Sequence, residues 1–239
     1  MRRPGRTRLA CAALLLAWAG AARSAAIEVA PVVHELAADR SALTLTVSNR
    51  GPAPVTVQLR AFDWTQPEGS DRLDPSPDAM LSPAIFEIAP GASQIVRAWV
   101  PAPVEAGRGR AWRLLIDELP VATAEATQAV RVMLRLSVPV FRAAARPLPP
   151  GLDTRIDAAG RRLVMSNRGG TWLRLRELGL SPGGGAAVTP QAPPLAYLLP
   201  GAERAWPLPD TAALRTGDTV MLSARTDAGR IEVPVVVAH

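Results

Sequence analysis

Few side chains in this sequence are of the types that carry out acid–base, nucleophilic or metal chemistry. The 239 residues include two histidines, His34 and His239, whose separation does not fit the close ligand spacing of a zinc site. Asp117 and Glu118 are adjacent, so on a strand they point to opposite faces and cannot act together as a carboxylate pair. We therefore expect no catalytic residues, no metal and no cofactor, and a hydrolase has the least support of all the functions.

The remaining candidates for chemistry are arginines. The 27 basic residues other than histidine are all arginines, and those that interrupt apolar runs are Arg97, Arg113, Arg131 and Arg135. An arginine on a sandwich strand is usually a solvated residue of the outer face, with its stem lying along the sheet. The alternative is a guanidinium beside an open groove, where it binds a carboxylate through two parallel hydrogen bonds. This alternative requires a partner chain that ends at the groove.

The stretch that would have to position these arginines runs from Gln128 to Phe141. Apolar residues recur there at every second position: Val130, Val132, Leu134, Leu136 and Val138. An extended backbone places them all on one face of a β-strand. A sandwich strand averages about five or six residues, and this alternation is longer. The strand can therefore complete its own sheet and still contact a partner through some of its apolar side chains. The alternative is a central core strand that has no apolar side chains available to a partner.

The first 26 residues have the three regions of a secretory signal peptide. They contain five arginines and no acid, include an apolar run too short to span a bilayer, and end in Ser24-Ala25-Ala26. We expect cleavage before Ile27, which removes Cys11 and leaves a chain without cysteine. Loss of the five arginines lowers the net charge from +6 to +1, so charge gives no support to nucleic-acid binding. No later segment is apolar enough to cross a membrane, so we expect an exported protein that is not membrane-embedded.

Internal similarity predicts two domains after the signal peptide. Ser48-Asn49-Arg50-Gly51 and Ser166-Asn167-Arg168-Gly169 each lie between two predicted strands. Pro90-Gly91-Ala92 and Pro200-Gly201-Ala202 each precede a strand that carries a tryptophan. Short strands between frequent turn signals are typical of all-β sandwiches, and the proline-rich segment 142–151 separates the two halves. We expect an all-β chain of two sandwich domains, residues 27–142 and 147–239.

The order of several motifs resembles the periplasmic chaperones of chaperone–usher pilus assembly, and most of all their archaic branch. The motifs include Pro31-x-x-x-Glu-Leu36, Leu45-Thr-Val-Ser-Asn-Arg-Gly51, Phe62-Asp-Trp-Thr-Gln66, Ala89-Pro-Gly-x-x-Gln-x-Val-Arg97, Trp112-Arg-Leu-Leu-Ile-Asp-Glu-Leu-Pro120 and Arg131-Val-x-Leu-Arg-Leu-Ser-Val-Pro-Val-Phe141. The resemblance implies two immunoglobulin-like β-sandwich domains in an L-shaped arrangement. It also implies that the long strand is donated to a pilin, fimbrial or coat-like subunit, which is then delivered to an outer-membrane usher.

The resemblance further implies which residues bind the subunit. The donated side chains are matched by Val130, Val132, Leu134 and Leu136. Better-known members bind the subunit's C-terminal carboxylate with two cations, but the matching positions here are Val33, next to His34, and Pro139, and neither pairs with a carboxylate. The candidates to replace these cations are Arg113, Arg135 and, third, Arg97.

A second hypothesis from a different class is a secreted structural or adhesive protein made of two similar sandwiches. In that case the long strand is permanently covered by its own domain. Aspartate in place of Val132 or Leu134 would then unfold the protein, because an unpaired buried charge costs several kcal/mol. In a chaperone the same substitutions would abolish subunit capture and leave folding and export intact.

Overall fold

The structure, a computed structural model of the chain, describes residues 27–102, 106–120, 133–157, 159, 161–182, 187–209 and 214–238. The predicted signal peptide therefore lies outside the described residues. Strands occupy most of the described chain. Among these residues there is no helix with the length and hydrophobicity that spanning a membrane requires. The prediction of an all-β chain is confirmed.

In chain order, the strands are β1 (Ile27–Ala30), β2 (His34–Leu36), β3 (Ala42–Asn49), β4 (Val55–Thr65), β5 (Arg72–Pro75), β6 (Met80–Ser82), β7 (Ile85–Ile88), β8 (Ser93–Trp99), β9 (Arg110–Leu119), β10 (Arg135–Arg142), β11 (Leu152–Asp157), β12 (Arg162–Asn167), β13 (Leu173–Pro182), β14 (Ala196–Leu198), β15 (Glu203–Pro207), β16 (Thr219–Thr226) and β17 (Gly229–Ala238). A short 3-10 turn, Pro67–Gly69, lies between β4 and β5. The first ten strands form two hydrogen-bonded sheets, and the last seven form one continuous path.

Strands β1 to β10 form a sandwich around one apolar core. One sheet has the order β1-β3-β8-β6, and the other has the order β2-β10-β9-β4-β5, with β7 also paired to β4. Leu43, Leu45 and Val47 of β3 point inward, as their alternation predicts, and meet alternate residues of the facing sheet such as Trp112 and Leu114 of β9. This order places β10 beside β9, with only β2 beyond it.

Strands β11 to β17 form the second sandwich. Their hydrogen-bonded order is β14-β13-β16-β17-β11-β12-β15. The two halves of this path are joined by a short parallel pairing of β11 with β17, at Ile156 and Asp157. Leu163, Met165 and Leu222 are among the alternate residues that fill its core. Each sandwich thus has a core of its own, built from period-two patterns.

Asn49, in the first Asn-Arg-Gly motif, forms hydrogen bonds that connect this turn with the Pro-Gly-Ala turn of the same domain. Its Nδ2 donates to the Ala53 and Ile88 carbonyls, at 2.7 and 3.0 Å. Its Oδ1 accepts a hydrogen bond from the Gly51 N–H at 2.8 Å. The Gly91 N–H, in the Pro-Gly-Ala turn, donates to the backbone carbonyl of Asn49 at 2.9 Å. Asn49 therefore connects the two turns through its side chain and its backbone carbonyl together.

Asn167 makes the same set of contacts in the second domain. Its Nδ2 donates to the Thr171 and Leu198 carbonyls, at 2.7 and 3.1 Å. Its Oδ1 accepts from the Gly169 N–H at 2.9 Å, and its backbone carbonyl accepts from the Gly201 N–H at 2.8 Å. The internal similarity in the sequence therefore corresponds to equivalent hydrogen bonds in the two sandwiches.

Candidate functional site

Strand β10 begins at Arg135, within the long alternating stretch, and the described residues 133 and 134 precede it. One of its edges is partly open. It pairs antiparallel with β9 along its full length, residues 135–142. On the other side, β2 pairs in parallel with residues 140–142 only. Among the described residues, no strand pairs with that second edge of residues 135–139.

The register identifies the backbone groups at the open edge. The Glu118 N–H donates to the Leu134 carbonyl at 3.0 Å. Even-numbered residues of this strand therefore exchange hydrogen bonds with β9, and odd-numbered residues direct their N–H and C=O groups away from it. Arg135 and Ser137 thus present N–H and C=O groups at the open edge. Such an edge is able to accept an additional strand.

The apolar side chains of β10 form a stripe that leads from the core to the open end of the strand. Val138 and Val140 are fully inside the first core. Leu134 and Leu136 pack against the same core but are only partly buried. A partner that covered these two leucines would therefore extend the existing core. Outside the described residues lie the other two predicted donor positions, Val130 and Val132.

On the opposite face of the sheet, Arg135 belongs to a charge cluster. It forms an ion pair with Asp117, which also accepts a hydrogen bond from Arg60 Nη2 at 2.7 Å. Burial alone would raise the pKa of Asp117, but the hydrogen bonds from Arg135 and Arg60 bring it below its usual value. The ionised carboxylate is shared by two cations, so the cluster keeps a surplus positive charge.

Arg113 of β9 lies farther along the same face, opposite Pro139. Its guanidinium carbon lies 3.7 Å from the centre of the Trp64 ring and 5.1 Å from that of Tyr197. Within the described part of the chain, no carboxylate forms an ion pair with it. Burial lowers the pKa of Arg113, and interactions with Tyr197 and Asp71 act in the opposite direction. A half-buried guanidinium held by aromatic rings, with no carboxylate partner, is suited to bind an anion.

The structure does not bring Arg97 together with the other two arginine candidates. Arg97 lies on the exposed face of β8, opposite Thr44 of β3, and therefore in the other sheet. The core of the sandwich separates it from Arg113 and Arg135. Its surroundings are those of a solvated residue of the outer face.

The positions that the resemblance assigns to cations carry no charge. Val33 packs against the core of the second sandwich, and Pro139 is buried within β10. The neighbouring His34 is buried as well, and burial lowers its pKa, so its imidazole is neutral at pH 7. Any cation that binds a carboxylate at this edge has to come from elsewhere in the sheet.

Sequence reasoning missed Arg174 of β13, whose side chain reaches the first domain. Its Nη2 donates to Glu35 Oε1 of β2 at 2.5 Å, and its Nε is paired with Asp227. Only 16% of the side chain is exposed. Because two carboxylates satisfy this cation, it joins the domains and does not offer an anion site. No periodic signal identifies it, since Glu35 and Arg174 are distant in the sequence and meet only in the fold.

An aromatic cluster between the two domains supports Arg113, and sequence reasoning missed this cluster too. Phe141 of β10 stacks on Trp172, with 4.6 Å between the ring centres and 12° between the ring planes. Tyr197 lies edge-on to Trp64, with 5.2 Å between the ring centres. The end of β10 is therefore fixed to the second domain, beside the face that carries Arg113.

The structure bears on a metal site and on one sequence pattern of hydrolases. No group of three or more His, Cys, Asp or Glu side chains among them could hold a metal ion. The Gly-x-Ser-x-Gly spacing of a hydrolase nucleophile does occur in the sequence, at 179–183. Ser181, however, lies within β13 and pairs with Met221 of β16, whereas that class of nucleophile needs a sharp turn between a strand and a helix.

Comparison with protein families gives a match to the first half of the chain. The model described as pili and flagellar-assembly chaperone, PapD N-terminal domain, matches residues 26–147, just over half of the chain. Comparison with curated protein sequences gives no match.

Several solved structures of chaperones and chaperone complexes have a fold similar to that of this chain. A chaperone–tip adhesion subunit complex of archaic chaperone–usher Csu pili from Acinetobacter baumannii has a TM-score of 0.66 at 18% identity, covering 90% of this chain and 100% of that one. The E. coli chaperone DraB has a TM-score of 0.60 at 19% identity, with 87% and 95% covered. A Salmonella enterica complex of the SafA pilin with the SafB chaperone has a TM-score of 0.56 at 19% identity, with 89% and 96% covered.

The fold defines a protein of two immunoglobulin-like β-sandwiches. In its first domain, no described strand pairs with one edge of β10 at residues 135–139. The chain belongs to the PapD family of pilus-assembly chaperones. The predicted family and fold class are therefore confirmed.

Proposed function

We propose that this protein is a periplasmic chaperone that binds pilin, fimbrial or coat-like subunits by donor-strand complementation and delivers them to an outer-membrane usher. The observation that carries the proposal is the open edge of β10 at residues 135–139, beside an apolar stripe that continues the protein's own core. A strand of the subunit would pair with this edge. The side chains at 130, 132, 134 and 136 would fill the gap in the subunit's core.

The energetics of such a complex are favourable. Burial of four apolar side chains, at about 1.5 to 3 kcal/mol each, supplies roughly 6 to 12 kcal/mol before the cost of ordering the strands. The backbone groups of Arg135 and Ser137 add hydrogen bonds to the partner strand. Leu134 and Leu136 already pack against a folded core, so part of the donor stripe is ordered before the subunit binds.

Arg113 is the arginine best suited to bind the C-terminal carboxylate of the subunit. Arg135 is already engaged by Asp117, and Arg97 lies on the other sheet. Arg113 combines partial desolvation with the absence of an ion pair among the described residues. A carboxylate bound there would form charge-assisted hydrogen bonds in a poorly hydrated site, where such bonds are stronger than in water.

Export and the identity of the partner have independent support. The N-terminal sequence has the pattern of a cleavable signal peptide, and the chain that remains has no cysteine. Two of the similar structures are complexes of a chaperone with a tip adhesion subunit or a pilin. Membership of the family supports delivery to an usher, which is part of the proposal.

The substitution Leu134→Asp tests strand donation. We expect the variant to be exported and folded, because Leu134 is only partly buried in the free protein. Its capture of a co-expressed pilin subunit should fall by more than roughly a hundredfold, since the complex would bury an unpaired carboxylate. Co-purification of the subunit from a periplasmic extract measures capture, and circular dichroism measures folding. Val132→Asp should give the same result, and undiminished capture by both variants contradicts the proposal.

The contact of Leu134 and Leu136 with their own core is the observation that favours the alternative, a secreted structural or adhesive protein. In that case Leu134→Asp would unfold the protein. A matched control is Ile95→Asp, because Ile95 is 54% exposed on the outer face of β8. The alternative would be established if Leu134→Asp is much less stable than Ile95→Asp and the unsubstituted protein captures no subunit.

A further inference from the structure

Pro139 lies where β10 changes neighbours. β2 pairs with residues 140–142, and the edge of the preceding residues is open. Proline has no N–H, so sheets accept it only where that group would not serve a ladder. Pro139 stands opposite Arg113, in a pair that exchanges no hydrogen bonds with β9. An N–H at position 139 would point away from β9, towards β2 and the open edge. Its absence therefore removes no hydrogen bond between β10 and β9.

The parallel register identifies the hydrogen bond that the proline removes. The Ala143 N–H donates to the Leu36 carbonyl at 2.9 Å. In a parallel ladder the pattern repeats every second residue, so the Phe141 N–H faces the His34 carbonyl. One step earlier, an N–H at position 139 would face the Val32 carbonyl. With proline at this position, that bond cannot form.

Val32 marks the end of the ladder. β2 begins at His34, and the Val32 side chain is 72% exposed. Valines favour strands, so residues 32 and 33 are suited to continue β2. Such an extension would direct the Val32 N–H to the Ser137 carbonyl, because the same register applies. It would thereby occupy one of the acceptors at the open edge.

We propose that Pro139 is a positioning residue that ends the β2–β10 ladder and keeps the edge of β10 at residues 135–137 free for a subunit strand. This inference rests on the proposed function, because a free edge matters only if a partner strand binds there. It also explains the departure from better-known chaperones at this position. Pro139 separates the residues of β10 that pair with β2 from those that would pair with the subunit strand. In the proposed complex, the cation that binds the subunit's carboxylate is Arg113 of β9.

The substitution Pro139→Val tests this inference, because valine fits a strand and restores the N–H. We expect β2 to extend to Val32, so the Val32 amide becomes roughly tenfold more protected against hydrogen exchange in the free protein. A co-expressed pilin subunit should be captured roughly five- to tenfold less well, since its strand must displace the extended β2. A merely structural proline would not change the protection of Val32.

The double variant Val32→Pro with Pro139→Val is the control, because it removes the N–H that would bond to Ser137. We expect it to capture the subunit as well as the unsubstituted protein does. An unprotected Val32 amide in Pro139→Val, or undiminished capture by that variant, overturns the inference. If Leu134→Asp abolishes capture and Pro139→Val leaves it unchanged, only the proposed role of Pro139 is wrong. If both variants capture the subunit normally, the proposal of strand donation is wrong.

Discussion

The guanidinium of Arg113 differs from those of the neighbouring arginines in what surrounds it. Arg60 and Arg135 share the carboxylate of Asp117, whereas Arg113 contacts the rings of Trp64 and Tyr197. Ring contacts hold a cation in place without neutralising it. The charge of Arg113 is therefore available to a ligand that carries its own carboxylate.

Arg113→Ala should weaken the complex with a pilin subunit by roughly ten- to a hundredfold, the loss expected for hydrogen bonds to a charged group. Arg97→Ala removes the same charge from the opposite sheet and should leave capture unchanged. Affinity measured for both variants against one purified subunit gives the comparison. Equal affinity for Arg113→Ala and the unsubstituted protein would remove Arg113 as the anchor.

The two asparagines of the repeated motif provide a prediction about stability. Asn49→Ala should lower the free energy of unfolding by about 2 to 4 kcal/mol, because it leaves the buried Ile88 carbonyl, the partly buried Ala53 carbonyl and the Gly51 N–H without their partner. Asn167→Ala should cost a similar amount, since its contacts are equivalent. Arg50→Ala is the control: its ion pair with Glu28 is exposed and should contribute less than about 1 kcal/mol. Urea denaturation measures all three, and an Asn167→Ala cost as small as that of Arg50→Ala would contradict the equivalence.

At the scale of elements, β10 does three things along eight residues. The side chains of Leu136, Val138 and Val140 contribute to the first core, and the last residues of β10 pair with β2. Phe141, on the other face, packs on the second domain. Only the segment before Pro139 keeps an edge without a partner among the described residues. The position of that open segment follows from the three-residue length of β2, which the sequence pattern did not reveal.

The sequence predicted the apolar face of β10 but did not predict which arginines lie close to it. Alternation of valine and leucine predicted the strand and its apolar face, because the period of a strand is fixed by its backbone. The same reasoning listed Arg97 beside Arg113 and Arg135, since all three interrupt apolar runs. Which sheet each arginine belongs to depends on strand order, and periodicity contains no information about strand order.

At the scale of the whole molecule, the two domains are joined by more than a linker. Gln66, at the end of β4, donates to the Tyr197 carbonyl at 3.0 Å, and its Oε1 accepts from the Leu199 N–H at 2.9 Å. The backbones of Gly107 and Gly170 approach so closely that a Cβ at Gly170 would lie 2.1 Å from the Gly107 carbonyl oxygen. Polar and backbone contacts of this kind fix the orientation of the domains, and with it the surroundings of Arg113.

Phe141→Ala tests the coupling of the domains. Loss of a fully buried ring should cost about 3 to 5 kcal/mol. Because Phe141 stacks on Trp172 of the other domain, we expect the two domains to unfold in separate transitions in calorimetry. Phe86→Ala, which removes a ring that packs on the first core alone, should keep a single transition. One transition for both variants would mean that other contacts hold the domains together.

The sequence by itself determined the all-β class, the division into two similar halves, the apolar alternation of β10 and the family resemblance. These features depend on local periodicity and on turn residues at fixed spacing, which a linear chain displays directly. Only the tertiary structure decided that Arg97 is on the other sheet from Arg113 and that Arg174 joins the domains. It also decided that, among the described residues, the edge of β10 before Pro139 has no partner strand and Arg113 lies among aromatic rings with no ion pair. Those features arise from strand order, register and contacts between residues far apart in the chain, and they exist only when the chain is folded.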